Sequence, residues 1–87
     1  NDEFWKSFYS ELNSWDTSSM KENDLKVYKA IRILFESKDD IDIFNKKAIY
    51  LYLRELTGLN TKQVVNSLKK FKTKYYTFSN NWKNGKI

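Results

Sequence analysis

The chain has 87 residues, 17% aromatic and 31% charged, with a net charge of +5 and neither cysteine nor histidine. Disulfides and thiolate metal sites are thereby excluded, an intracellular setting is favoured, and the commonest general base and metal ligand are missing. The length suits one small domain with one core, no apolar run approaches the roughly 20 residues of a membrane span, and no signal peptide is visible. The start at Asn1 rather than Met is expected of a fragment or a processed product.

In chain order, Asp2 is placed to cap a first helix, with Glu3 in its first turn. Phe4, Trp5, Phe8, Tyr9, Leu12 and Trp15 recur at helical spacing and form a wide aromatic stripe. Residues 13–19 are a polar break, after which Ser19 and Glu22 have the spacing of a capping box. Leu25, Tyr28, Ile31, Leu34 and Phe35 line one face of a second helix ending near Ser37, which Val27 and Ala30 widen. Asp39 and Asp40 read as a turn, and Ile41, Ile43 and Phe44 as a short extended piece.

Asn45 is placed to cap a third helix. Ala48, Ile49, Leu51, Tyr52, Leu53 and Leu56 make that helix apolar almost all round, which predicts the central buried helix, with Leu51 in the core. Gly58 suits the left-handed position that ends it, Leu59 plugs the turn, and Asn60 with Gln63 predicts a reciprocal cap for a fourth helix. Val64, Leu68 and Phe71 face that helix inward. The aromatic residues of 75–78 predict a strand, and Asn84-Gly85 is a strong hairpin signal that would pair Lys83 with Lys86.

Charge is divided unevenly. Residues 1–42 carry ten acids and six bases, net −4, whereas residues 43–87 carry ten bases and one acid, Glu55, net +9. A one-ended excess of this kind points to an anionic partner at that end. A polar-faced helix beside a lysine-rich hairpin suits duplex DNA, with the helix in a groove and the lysines on phosphates.

The order helix, short extended piece, helix, turn, helix, strand and basic hairpin resembles the winged helix-turn-helix superfamily of DNA-binding domains. The resemblance covers about residues 25–87. NKKAIYLYLRELTG stands as the first helix of the motif, LN as the turn, TKQVVNSLKKFKTKY as the recognition helix and YYTFSNNWKNGKI as the wing. It implies a mainly α fold with a small β-wing, in which residues 1–19 form an N-terminal aromatic amphipathic helix and linker and residues 20–87 form the winged domain, all one compact unit. The wing's second strand, after Asn84-Gly85, is expected to be short. The resemblance also implies sequence-specific binding of double-stranded DNA, in transcriptional regulation or replication initiation, with residues 61–74 in the major groove and 75–87 on the backbone.

In that arrangement Thr61, Lys62, Gln63, Asn66 and Ser67 are the candidates for base contacts. Gln63 and Asn66 have the amide geometry for adenine, although Gln63 equally suits a cap and Asn66 a solvated position. Lys69, Lys70, Lys72, Lys74, Lys83 and Lys86 suit phosphates. Lys46 and Lys47, in a helix's first turn where cations oppose the dipole, suit either a phosphate or plain solvent. Phe4, Trp5, Phe8, Tyr9 and Leu12 are core by default and otherwise a homodimer or protein-partner surface.

Two other functions compete: a protein-interaction module on the same scaffold, and a single-strand binder stacking bases on Tyr75, Tyr76 and Trp82. Catalysis finds no support. Asp39, Asp40 and Asp42 are the only acidic cluster, better read as a solvated turn than a cation site, and no phosphate loop or nucleophile motif occurs. No cofactor and no metal are expected.

Overall fold

The computed structural model describes residues 2–37 and 45–86, and the expected turn and extended piece of residues 39–44 lie outside them. Four helices follow in order: α1, Asp2–Asn13; α2, Glu22–Glu36; α3, Lys46–Thr57; and α4, Thr61–Lys83. α2 packs against the other three helices and α4 packs against all of them as well, while α1 and α3 do not meet. The most buried helix is therefore α2, which buries Asp24, Val27, Tyr28, Ala30, Ile31 and Leu34.

The expected β-wing is absent: no strand occurs among the described residues, and the fold is a helical bundle rather than a winged helix. Residues 75–78 continue α4, which runs for 23 residues. The cause lies in tertiary partners. Tyr75, Phe78 and Trp82 extend the period that begins with Val64, Ser67 and Phe71, and Phe4 of α1 lies 5.6–6.2 Å from all three rings. Aromatic β-propensity is weak against such contacts. Asn84-Gly85 ends the helix instead of turning a hairpin. The Lys86 amide donates to the Asn81 carbonyl at 2.9 Å and the Gly85 amide to that of Trp82 at 3.2 Å, with Gly85 at φ 69°. This is a Schellman cap, which wants the same positive φ that a tight hairpin would.

The third helix also departs from expectation. In α3 only Leu53 is fully buried, while Leu51 is 54% and Leu56 43% exposed. An apolar circumference shows that a helix tolerates burial on every side, and here α2 and α4 cover one side only. Its ends follow the sequence. The Asn45 side chain accepts from the Ala48 amide at 3.2 Å, and Gly58, at φ 73°, donates its amide to Arg54 at 2.8 Å. Leu59 is buried, and Asn60 and Gln63 form the reciprocal cap at 2.9 and 3.0 Å.

The start of α2 was expected at a Ser19–Glu22 capping box. Its N-cap is Lys21, which makes no side-chain cap, and Glu22 pairs with Lys26 at 3.5 Å. The polar break has its own turn, in which Asp16 accepts from the Ser18 amide and hydroxyl at 2.9 and 2.7 Å. Those bonds hold the exposed Asp16 carboxyl below its ordinary pKa. Asp2 stands inside the first turn of α1 rather than before it.

The N-terminal aromatic stripe belongs to the core. Phe8 and Leu12 are buried, with Phe4, Trp5 and Tyr9 half-buried beside them. The Tyr28 hydroxyl donates to the Leu12 carbonyl at 2.6 Å, and that of Tyr9 to Glu36 at 2.7 Å, both tying α1 to α2. The Glu36 carboxylate favours the neutral phenol and raises the Tyr9 pKa.

Candidate nucleic-acid interface

The apolar stripe of α4 decides what the helix offers to solvent. Val64, Ser67, Phe71 and Phe78 are buried and Leu68, Tyr75 and Trp82 pack beside them. Lys62, Asn66, Lys69, Thr73, Tyr76 and Asn80, spaced alternately four and three residues apart, are all exposed on the opposite side. Such spacing places them in one line along the helix. At 1.5 Å per residue the whole helix is about 34 Å long, and it contains no acidic residue.

The expected base-contact residues separate. Thr61 and Lys62 are exposed. Gln63 is exposed, but its side-chain oxygen accepts the Asn60 amide, so half of its amide is committed to the cap. Asn66 is exposed in the second turn, and its side chain makes no hydrogen bond among the described residues. Ser67 faces inward with 3% exposure and donates its hydroxyl to Asp24 at 2.7 Å, which withdraws it from any base edge.

The lysines separate too. Lys70 is paired with Asp24 at 2.6 Å. Lys74 lies 5.2 Å from the ring centroid of Trp15, which itself stacks on Phe71. Lys62, Lys69, Lys72 and Lys83 are exposed and have no carboxylate partner among the described residues. Lys86 is exposed just beyond the Schellman cap, and Lys46 and Lys47 are exposed in the first turn of α3.

Between the start of α2 and the first turns of α4 lies a polar groove of about 380 Å³, lined by Lys21, Asn23, Asp24, Gln63, Asn66 and Lys70 among others. Asp24 is 8% exposed. Burial opposes its ionisation most strongly, but hydrogen bonds from Lys70 and Ser67 and the charges of Lys70 and Lys21 together outweigh burial and hold its pKa below the ordinary value. Asp24 was not expected as a structural or functional residue. The signal was a polar residue in each of two apolar stripes: Asp24 leads Tyr28 and Ile31 on α2, and Ser67 stands between Val64 and Phe71 on α4.

This pair makes stability depend on acid. A depressed folded pKa contributes stability that is complete above the unfolded value, 3.8 for aspartate, and is lost as pH falls through the folded value. Asp24→Asn is expected to cost about 1 kcal/mol at neutral pH, a modest figure because Lys70 is half exposed. The gap from the parent should close as pH drops from about 4 toward 2. Urea unfolding of both proteins across that range measures it, and a gap that stays constant or widens refutes the ion pair.

Among the described residues no cluster of acids, histidines or cysteines could hold a metal ion, and no helix is long and apolar enough to cross a membrane. The Asp39, Asp40 and Asp42 cluster lies outside those residues. No protein-family model, characterised protein or solved structure matches the chain.

Proposed function

We propose that this chain binds double-stranded DNA through the outward face of α4, in an intracellular setting, for transcriptional regulation or replication initiation. The observation that carries this reading is the line of Lys62, Asn66 and Lys69, exposed on a helix without a carboxylate and flanked by Lys72 and Lys83. An α-helix fits the major groove, where an asparagine amide can meet adenine and lysines can meet phosphate. Without a wing, the flanking backbone contacts fall to Lys83 and Lys86 at the end of α4 and to Lys46 and Lys47 on α3.

The single-strand alternative loses support because Tyr75 and Trp82 pack against Phe4, leaving Tyr76 as the exposed ring at 60%. The protein-interaction alternative loses its proposed surface because Phe8 and Leu12 are buried.

Binding to a fluorescent duplex, measured from about 50 to 200 mM salt, tests the proposal. Log affinity should fall linearly with log salt at a slope of about −0.9 per phosphate neutralised. Lys62→Gln with Lys69→Gln should make the slope shallower by about 2 and weaken all duplexes alike. Asn66→Ala should instead lower affinity only for a duplex selected from a random pool, by about 1–3 kcal/mol. Affinity that does not respond to salt, or single strand preferred over duplex, would remove the reading.

A further inference from the structure

Because α1 and α3 do not meet, the bundle keeps a gap between them. That gap is a cavity of about 280 Å³ whose walls include Trp5 and Phe8 on one side and Ile49 and Leu53 on the other. Its lining is apolar and aromatic except at Lys46 and Lys72, both exposed residues, and a lysine beside apolar surface lays its stem along it and keeps its ammonium group in water. Among the described residues no carboxylate lines it.

We propose that this cavity binds a medium-chain alkyl carboxylate, with the alkyl chain between α1 and α3 and the carboxylate between the ammonium groups of Lys46 and Lys72. Two observations select that chemistry. An apolar cleft of this size, partly open to solvent, favours an apolar guest. At about 30 Å³ for each water-sized group it holds roughly nine of them, the bulk of a chain of about eight to ten carbons. The second observation is the sign of the described lining: two lysines and, among the described residues, no carboxylate suit a negatively charged head group and repel a positive one. A neutral chain would fill the same space without satisfying the lysines.

The site shares Lys46 and Lys72 with the proposed duplex contacts but does not rest on them, and it is tested without nucleic acid. The intact protein is titrated with decanoate, decanol and decyltrimethylammonium below their micellar concentrations. Trp5 and Trp15, which both line the cavity, report binding by fluorescence, and calorimetry gives the stoichiometry. Decanoate is expected to saturate at one per chain, about tenfold more tightly than decanol, with the cation weakest. Lys46→Gln with Lys72→Gln, both at exposed positions, should bring decanoate down to the affinity of decanol and leave decanol unchanged. Leu68→Phe, which places a larger ring in the lining, should weaken decanoate and decanol together. The proposal is overturned if decanoate does not bind, if it fails to saturate at one per chain, if the three amphiphiles bind alike, or if the lysine variant keeps the preference for carboxylate.

Discussion

Phe8→Ala is expected to remove a large part of the stability of this protein. Phe8 is 4% exposed, and its ring centroid lies 5.2 Å from Tyr75, 5.4 Å from Phe78, 5.5 Å from Phe35 and 6.1 Å from Trp15. One ring thus joins α1 to α2, to α4 and to the turn after α1. Truncating a buried phenylalanine costs about 3–5 kcal/mol, since the lost transfer energy is joined by a cavity that rigid neighbours cannot close. A chain of 87 residues is stable by about 4–13 kcal/mol in total. The melting temperature should fall by at least about 12 °C. A loss under about 1 kcal/mol in urea unfolding would mean that Phe8 is not the hub of the core.

Thr77→Pro should be nearly as damaging, although Thr77 is exposed. Residue 77 stands six residues before the end of α4, and its hydroxyl donates to the Thr73 carbonyl at 3.1 Å. Proline there removes the amide that bonds to that same carbonyl and drives its ring into it, at a cost of about 3 kcal/mol or more. Thr77→Ala is the control and should be neutral or stabilising by up to about 0.7 kcal/mol, because alanine is the better helix former. On an edge strand of a wing the proline would be tolerated. Circular dichroism and thermal melting of the two variants decide between the arrangements, and equal stability of the pair would return residues 75–78 to a strand.

The parts of this fold that could be read from the sequence are those fixed by neighbours in the chain. Asn45, Gly58, Asn60 and Gln63 act through backbone groups three or four residues away, so their chemistry is local and their roles follow from spacing. The end of α4 was not local. Tyr75, Phe78 and Trp82 satisfy a helical period and also supply strand-forming residues, and the choice was made by Phe4 and Trp5 at the far end of the sequence. The Asn-Gly pair could not settle it, because a Schellman cap and a tight hairpin both need a positive φ. α3 misled for a different reason. Periodicity shows which faces of a helix can be buried, but Leu51 and Leu56 stay exposed because no third helix reaches them.

The candidate interface was legible to a similar degree. Asn66 and Lys69 were placed outward by the stripe of Val64, Leu68 and Phe71, and they are exposed. Ser67 was placed with them because it is not a member of the stripe Val64, Leu68 and Phe71. What turned it inward was Asp24, 43 residues earlier. An inward serine needs a partner, and the partner's own anomaly, an aspartate at the head of an apolar stripe, was the matching half of the evidence.

The packing of α1 against the last turns of α4 also sets an order of events during synthesis. Phe4 and Trp5 are made before their ring partners on α4, Tyr75, Phe78 and Trp82, which follow about seventy residues later. At roughly 5–20 residues per second, the aromatic side of the nascent α1 waits roughly 4–14 seconds for them. During that interval α1 can pack against α2, where Phe35 meets Trp5 and Phe8, but the face of Phe4 that meets Tyr75, Phe78 and Trp82 lacks those partners. A chain released before residue 75 would keep that face exposed for good, so incomplete products of this protein should be sticky in a way that the finished molecule is not.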